Sequence, residues 1–347
     1  MSGPSHLVSI VIPTKDRSTL LMQTIESIRR QTFDEWEALV IDDASSDDTP
    51  ARMAEITRED PRIRFHVLPP PRTGAPAGRN LGVELARGEY LIFLDSDDLL
   101  APHCLEQRVA AMNANPQLDF AVFPCQLFRN EPGDEQLLWN ADTDEDDLDR
   151  FLRMDIPWQT TSPIWRRSAL ANVGPWDEQA LAAQDWELHI RALVAGLRYK
   201  KLEHPDCYWR RPDAQRYSIG KSSRHNAEYL RSREPLIARM LELLVQRDLL
   251  TPPRKQMFVG MYFQAAERLA DGFSRREARR VWRICRRRGL IPLRPYLQGL
   301  AYLLAHRWPG RAKRIRERIE QTWPPLYLCR RSSTYLRTPL KMAEVAT

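Results

Sequence analysis

Short apolar runs alternate with helix-like segments through the first third of the chain, and this alternation constrains the fold more than any other feature. The apolar runs occupy residues 7–12, 38–41, 64–68 and 90–94, and helices are expected over residues 18–31, 49–59 and 79–87, with a loop over 69–78. Continuously apolar strands are typical of a parallel sheet that is covered on both faces. The pattern therefore predicts an α/β fold.

Carboxylates follow three of these predicted strands at the point where each strand ends, and they are Asp16, Asp42, Asp43, Asp95, Asp97 and Asp98. Ligands of such sheets bind beyond the carboxyl ends of the strands, so we expect these side chains on one rim. Asp95 and Asp97 can face one cavity, where one or two carboxylates together with substrate phosphates suffice to hold Mg²⁺ or Mn²⁺. The alternative is helix capping, by Asp97 and Asp98 before a helix near Leu99, and by Asp43 in its own acidic run.

The remainder of the chain divides into a mixed middle part and a helical end. We expect a strand within residues 119–128, an acidic surface loop over 131–149, an extended stretch over 158–165, a turn at 174–178, a helix over 185–194 and a strand within 198–209. Helical periodicity then covers residues 226–247, 255–270, 274–288, 292–306 and 309–321, before a loose tail.

Charge and cysteine usage restrict the class of protein. Residues 231–347 carry 26 Lys/Arg and 9 Asp/Glu, whereas residues 1–230 carry 26 Lys/Arg and 37 Asp/Glu, so the two parts are expected to meet different partners. Five scattered cysteines without a C-x-x-C pair argue against a disulfide framework or a zinc site, and favour a cytoplasmic protein. No apolar stretch approaches the roughly 18–20 residues of a membrane span, and residues 1–12 do not resemble a secretory signal.

Four ordered segments, at residues 9–17, 39–49, 78–82 and 88–98, resemble the family 2 glycosyltransferases of GT-A fold, over about residues 7–220. The resemblance implies a GT-A domain at residues 1–224, with a Rossmann-like mixed sheet, followed by a basic α-helical region at 225–330 and a tail at 331–347. It also implies inverting, metal-assisted hexosyl transfer from a nucleotide-diphospho-sugar, expected to be a UDP-sugar, to a glycan or a lipid-linked saccharide.

The resemblance assigns roles to residues of the rim. Pro13, Thr14 and Asp16 would border the base and ribose, Asp43 would hydrogen-bond the base, Asp95 would lie against the ribose, and Asp97 would ligate Mn²⁺ or Mg²⁺. Arg79 opens a helix after a glycine-containing loop, and it is expected near the phosphates or the acidic pair, with a plain surface arginine as the alternative.

The catalytic base is predicted to be Asp185, which follows a turn, residues 174–178, that is similar to the family's Gly-Gly-Phe-Asp-Glu. Gln184 stands where the family has an acidic neighbour of the base, a departure that reduces the negative charge around Asp185. Helix N-terminal stabilisation is the alternative role for Asp185. The segment from Tyr208 to Ser218 is similar to the family's segment that closes over the diphosphate, although the family's histidine is missing here. The resemblance therefore implies that Arg210 and Arg211 contact phosphate.

Three tryptophans are predicted to contact the acceptor, because aromatic faces suit the C–H faces of a sugar. They are Trp158 and Trp165, which bound a hydroxyl-rich stretch, and Trp186, which follows the predicted base. Packing in the core is the alternative explanation for the stretch from 158 to 165.

The sequence leaves alternatives open for the role of the basic helices and for the function. The basic helices, including the segments at 282–288, 302–308 and 311–318, either pack as a bundle on the acidic domain or lie on anionic membrane, which would place the protein peripherally on the inner face. Nucleic acid is not an expected partner, because no recognised module is present. A catalytically weakened nucleotide-sugar-binding protein is the alternative function, and a dinucleotide oxidoreductase is disfavoured because no G-x-G-x-x-G follows the first strand.

Overall fold

A computed structural model describes residues 7–140, 142–211, 226–305, 308–328 and 338–339 of the chain. Ser218 and most of the predicted tail lie outside these residues. Within the described ranges, no helix is both long enough and apolar enough to cross a bilayer.

The main sheet of the described structure has seven strands in the order β10-β6-β9-β4-β1-β2-β3. The strands are β1 (Val8–Thr14), β2 (Trp36–Asp42), β3 (Ile63–Val67), β4 (Tyr90–Phe93), β6 (Phe120–Val122), β9 (Pro163–Arg166) and β10 (Tyr199–Lys201). All neighbours pair in parallel except β9, which runs antiparallel between β4 and β6. The sheet is therefore mixed, as the resemblance implies, and the apolar runs taken alone indicated only its parallel part.

A smaller sheet lies beside the first in the order β12-β8-β7-β11-β5. It consists of β5 (Leu99–Leu100), β7 (Cys125–Phe128), β8 (Leu137–Leu138), β11 (Cys207–Arg210) and β12 (Thr338–Pro339). The single strands expected within 119–128 and 198–209 are each two strands, because the chain passes from the main sheet to the small one at both places. These two passages run side by side, since β10 pairs with β6 and β11 pairs with β7 in parallel.

Twelve α-helices occur in the described ranges. They are α1 (Ser18–Arg29), α2 (Thr49–Glu59), α3 (Gly74–Leu85), α4 (Cys104–Ala114), α5 (Asp147–Leu152), α6 (Arg167–Val173), α7 (Gln184–Val194), α8 (Ala227–Gln246), α9 (Pro252–Gly272), α10 (Arg275–Arg287), α11 (Leu293–Ala305) and α12 (Pro309–Thr322). The five predicted C-terminal helices are confirmed within a few residues at their ends. The acidic loop expected over 131–149 also holds β8 and the start of α5.

Helix α3 begins five residues earlier than the sequence pattern predicts, so the expected loop is wrong over residues 74–78. Pro76 lies in the first helical turn, where a missing backbone N–H costs nothing. The helix then lies close to β1, because a Cβ atom added at Gly82 would come within 2.2 Å of Val11 Cγ1. Earlier in the same helix, a Cβ atom added at Gly78 would come within 3.1 Å of Pro13 Cβ, so this part of α3 lies at the carboxyl end of β1.

The C-terminal helices pack on the α/β part of the chain. Helix α8 contacts α7, helix α9 contacts α5, and the apolar core is continuous from the main sheet into α8–α12. Arg254 Nε lies 2.6 Å from Asp149 Oδ1, and Arg239 forms a second ion pair with Asp177. The bundle packed on the acidic domain is thus observed, whereas the boundary near residue 225 stays a prediction.

A fully buried ion pair ties α4 to the passage between the two sheets. Arg108 Nε and Nη2 lie 2.8 and 2.7 Å from the two carboxylate oxygens of Asp206, and Arg108 Nη1 donates to Thr161 O at 2.8 Å. Both side chains are 0% exposed. The pair holds β11 and the segment before β9 against α4.

We expect Arg108→Ala to lower the free energy of unfolding by about 3–5 kcal/mol, because it leaves the Asp206 carboxylate buried without a counter-charge. The matched variant Arg30→Ala removes an exposed i,i+4 pair with Glu26 and should cost less than about 1 kcal/mol. Urea unfolding at neutral pH measures both values. Equal costs for the two variants would contradict the structural role of the buried pair.

Candidate active site

The carboxyl ends of β1, β2 and β4 bring the predicted aspartates to one rim. The backbone N–H of Asp43 donates to Thr14 O at 2.9 Å, which joins the ends of β1 and β2. Lys15 Nζ lies 3.2 Å from Asp43 Oδ2, and Arg17 Nη1 lies 2.9 Å from Asp97 Oδ2. Basic side chains of the loop after β1 therefore form ion pairs with the aspartates that follow β2 and β4.

Asp43 fixes the beginning of α3. Its carboxylate accepts hydrogen bonds from Thr73 Oγ1 at 2.9 Å and from the backbone N–H of Gly74 at 3.0 Å. The capping alternative thus describes part of its role, although the helix that it caps is α3 and not the following α2. The free N–H groups of a helix N-terminus favour an anion at this position.

Asp16 and Thr14 lie beside Asp43 at the end of β1. Asp16 has a left-handed backbone (φ 48°), and its Oδ1 accepts from the N–H of Ser46 at 2.6 Å. The hydrogen bonds from Ser46 lower the pKa of Asp16 and keep it ionised. Pro13 and Thr14 are buried, and Thr14 Oγ1 has no hydrogen-bond partner among the described residues.

The three aspartates after β4 have different surroundings. Asp95 Oδ1 lies 2.7 Å from Arg79 Nη2, and Asp97 pairs with Arg17, so each keeps one carboxylate oxygen outside its ion pair. Asp98 is buried, and its oxygens accept from the N–H of Arg210 at 2.9 Å and from Thr161 Oγ1 at 3.3 Å. Its role is structural.

The capping alternative for Asp97 and Asp98 is wrong. The residues that follow them form β5, and helix α4 begins only at Cys104. Burial raises the pKa of Asp97, and the adjacent Asp95 carboxylate raises it further, while Arg17 opposes the shift.

Arg79 connects this rim to α7. Its guanidinium is buried, donates to Asp95 through Nη2 at 2.7 Å and to Gln184 Oε1 through Nη1 at 2.9 Å. The guanidinium carbon lies 4.5 Å from the ring centre of Trp176. Arg79 is therefore not a surface arginine, and it joins the strand-end carboxylate to the first turn of the helix that carries Asp185.

Asn80 holds the 174–178 turn against α3. Its side-chain amide donates to Trp176 O at 3.0 Å and to Glu178 Oε1 at 2.9 Å, and its Oδ1 accepts from Trp176 N at 2.8 Å. The sequence pattern pointed to Arg79 and, separately, to this turn. It did not predict the contact of the neighbouring Asn80 with the turn, because 96 residues separate Asn80 from Trp176.

Asp185 lies in the first turn of α7, two residues after Ala183, which has a left-handed backbone. Its Oδ1 accepts from the N–H of Trp186 at 2.8 Å. Burial raises the pKa of Asp185, the Trp186 N–H and Arg79 lower it, and Asp95 raises it. A half-buried carboxylate with a raised pKa, linked through Arg79 to the rim, can accept a proton from a hydroxyl group.

Arg210 and Arg211 bond within the protein. Arg210 is buried, with Nε donating to Asp97 O at 2.8 Å and Nη2 donating to Gln23 Oε1 at 2.7 Å. Arg211 Nη1 lies 2.8 Å from Glu135 Oε2. Arg210 thus supports the backbone of Asp97, and the phosphate contacts expected of the two arginines stay predictions.

The three tryptophans predicted to bind the acceptor are buried in the core. Trp158, Trp165 and Trp186 are 2%, 0% and 3% exposed. Trp165 stacks on Phe120 with ring centres 4.3 Å apart, and Trp186 Nε1 donates to Phe151 O at 2.8 Å. The aromatic faces of all three are used for packing, so the predicted acceptor role is wrong. Core packing, the alternative given for residues 158–165, describes Trp158 and Trp165.

The carboxylates of the rim could supply some, but not all, of the ligands of a divalent cation. In the described part of the chain, no group of three or more His, Cys, Asp or Glu side chains is placed to hold a metal ion. Asp97 and Asp95 each retain a carboxylate oxygen, and magnesium or manganese ions are commonly held by one or two carboxylates, waters and substrate phosphates. These residues fit such an ion.

Comparisons with known proteins show what this chain is similar to in sequence and in fold. Residues 9–173 match the family model described as Glycosyl transferase family 2. A stretch of 106 residues is 35% identical to the GalNAc(5)-diNAcBac-PP-undecaprenol beta-1,3-glucosyltransferase of Campylobacter jejuni, covering 30% of this chain and 34% of the relative. The chain thus aligns with about a third of that relative's length.

Two solved structures are similar over most of the chain. Staphylococcus aureus TarS 1-349 in complex with UDP-GlcNAc has a TM-score of 0.63 and 17% identity, covering 91% of each chain. The mannosyltransferase PcManGT from Pyrobaculum calidifontis, in complex with GDP-Man and Mn²⁺, has a TM-score of 0.51 and 17% identity, covering 87% of this chain and 86% of that one. The predicted GT-A fold is confirmed.

Proposed function

Because residues 9–173 match glycosyl transferase family 2, we propose that this chain moves a hexosyl group from a nucleotide-diphospho-sugar to a hydroxyl acceptor, with inversion. The observation that carries the proposal is the Arg79 bridge, which joins Asp95 at the strand-end rim to the helix turn that bears Asp185. Donor and acceptor chemistry would meet across this bridge.

On the donor side, the proposal assigns the nucleotide to the ends of β1, β2 and β4. Thr14 Oγ1 is a buried hydroxyl without a partner among the described residues, and Asp43 and Asp95 are half-buried acceptors on the same rim. These groups suit the donors and acceptors of a base and a ribose. The TarS structure contains UDP-GlcNAc, which supports a UDP-sugar as the donor of this chain.

A divalent cation, Mn²⁺ or Mg²⁺, would be held by Asp97 with the donor's phosphates. When bound, such an ion stabilises negative charge on the departing diphosphate. Arg17 and Lys15 lie on the same rim and add positive charge there. The PcManGT structure contains Mn²⁺, which supports a divalent cation as part of the proposal.

Asp185 would act as the general base. It would take the proton of the acceptor hydroxyl while that oxygen attacks the anomeric carbon and the bond to the diphosphate oxygen breaks on the opposite face. A raised pKa makes the carboxylate a better proton acceptor, and Arg79 keeps it close to the rim without neutralising it by direct contact with its oxygens.

We propose a lipid-linked saccharide as the acceptor, at the cytoplasmic face of a membrane. The name of the Campylobacter jejuni relative specifies an undecaprenol-diphosphate-linked saccharide, which supports this acceptor class. Four described cysteines are free thiols, as expected of a reducing compartment.

A second candidate function is donor binding with weakened turnover. The observation that favours it is Gln184, which accepts from Arg79 where the family has an acidic residue. The two candidates differ in whether Asp185 transfers a proton, and this difference is accessible to experiment.

We expect Asp97→Asn to remove the Mn²⁺-dependent part of UDP-sugar binding, because it deletes the charge that would hold the ion. The control Asp144→Asn changes an exposed carboxylate of the acidic loop and should bind as the wild type does. Calorimetric titration of a UDP-sugar with and without Mn²⁺ measures the effect. Unchanged Mn²⁺ dependence in Asp97→Asn would contradict the cation role.

We expect Asp185→Asn to retain donor binding but to lose transfer by roughly 10²–10⁴-fold, the contribution typical of a positioned general base. Release of nucleoside diphosphate in the presence of a lipid-linked acceptor measures transfer, again with Asp144→Asn as the control. Wild-type transfer by Asp185→Asn would remove this residue as the base. Donor binding without transfer by the wild type would favour the second candidate.

We expect Gln184→Glu to raise the pKa of Asp185 further, because it places a second carboxylate beside it. The base must be ionised, so the acid limb of kcat/KM should move to higher pH by roughly half a unit to one unit. Gln136→Glu adds a carboxylate in an exposed loop and should leave the pH profile unchanged. A shift to lower pH, or none, would argue against Asp185 as the titrating group.

A further inference from the structure

Helix α11 presents a row of leucines to solvent. Leu293, Leu297 and Leu304 are 55%, 50% and 48% exposed, and Leu300 is half-buried between them. Spacings of four and seven residues place these side chains on one face of a helix. Trp308, just beyond the end of α11, is 53% exposed. We name these five residues the α11 stripe, and nothing in the proposed transfer chemistry uses them.

The helices on both sides of α11 are strongly basic. Helices α10 and α12 both contact α11, and residues 275–322 carry 15 Lys/Arg against 3 Asp/Glu. Arg311, Arg314 and Arg318 lie on one face of α12, and the Arg311 guanidinium carbon lies 6.0 Å from the Trp308 ring centre. Exposed arginines also lie on α10, at 283, 286 and 287, and on α11, at 294.

We propose that the α11 stripe and these arginines form a docking surface for an anionic lipid bilayer. Leucine and tryptophan side chains gain free energy by entering the boundary between headgroups and acyl chains, while arginines lie among the lipid phosphates. Neither part suffices alone, because a few apolar side chains give marginal binding and arginines without them give only salt-sensitive attraction.

The same surface fits other partners less well. A nucleic acid would engage the arginines but leave four leucines in water. A second copy of the chain would bring two strongly positive surfaces together, which costs electrostatic energy. An anionic bilayer satisfies both the apolar and the charged components at once.

The structure also changes which residues of this region face outwards. Trp282 and Tyr302, which lie in the segments predicted to contact a membrane, are buried, with Trp282 Nε1 donating to Tyr296 O at 2.9 Å. They belong to the core between the helices. The exposed leucines of α11 and Trp308 take the membrane-facing role instead.

The test uses the full chain and vesicles of phosphatidylglycerol or phosphatidylcholine, without donor or acceptor. We expect the wild type to co-sediment with phosphatidylglycerol vesicles and not with phosphatidylcholine vesicles. Leu297→Glu/Leu304→Glu should lower the partition coefficient by about tenfold or more, because it places two charges against the bilayer. The control Val67→Glu/Val245→Glu changes two similarly exposed apolar residues elsewhere and should bind as the wild type does.

A second pair of variants tests the contribution of the arginines to vesicle binding. Arg314→Gln/Arg318→Gln should weaken binding to phosphatidylglycerol vesicles by about tenfold, whereas Arg30→Gln/Arg58→Gln should not. Circular-dichroism melts check that all variants are folded. We expect them to fold, because the substituted side chains are exposed. Raising NaCl from about 0.1 M to about 0.5 M should reduce binding of the wild type.

Three outcomes would overturn the proposal. They are failure of the wild type to bind phosphatidylglycerol vesicles at low salt, wild-type binding by folded Leu297→Glu/Leu304→Glu, and a dimer that forms through the α11 stripe without vesicle binding. Since no step of the assay requires sugar transfer, failure here is distinct from failure of the proposed function.

Discussion

The site depends on the contacts of the buried Arg79 guanidinium with Asp95 and Gln184. Carboxylates that follow β4 and a carboxylate on α7 are brought into one region, where their mutual repulsion and desolvation would oppose folding. Arg79 offsets both effects, since it pairs with Asp95, donates to Gln184 and lies against the face of Trp176. Asn80, the next residue, fixes the backbone of Trp176, so one turn of α3 positions the rim, the 174–178 turn and the start of α7 together.

The C-terminal helices support the same arrangement from the other side. Helix α8 packs on α7, and the Arg239–Asp177 pair ties α8 to the turn that Asn80 holds. The predicted base is therefore held between α3 and the helical region. The inner side of the basic region thus supports α7 and the 174–178 turn. Its outer side takes no part in this support. The proposed lipid-linked acceptor and the proposed surface for anionic lipid are compatible, and each proposal has its own supporting observations.

Gln184 shows how one departure from the family pattern alters the electrostatics without breaking the geometry. The amide oxygen accepts from Arg79 as a carboxylate would, so the bridge to Asp95 is kept. What changes is the charge beside Asp185, whose pKa is raised by burial and by Asp95 rather than by an adjacent carboxylate. The basicity of Asp185 thus depends on its surroundings in the folded chain, which the local sequence alone does not define.

The sequence by itself determined the strands β1, β2 and β4, the helices α1 and α2, the C-terminal helices and the placement of aspartates after strands, because these follow from apolar runs and local periodicity. Only the tertiary structure decided which groups meet. It pairs Arg17 with Asp97, 80 residues away, inserts β9 antiparallel between parallel strands, and buries Trp158 and Trp165 in the core. Such contacts depend on how distant segments pack, and neither residue type nor spacing encodes whether an aromatic face or a guanidinium will be covered by another part of the chain.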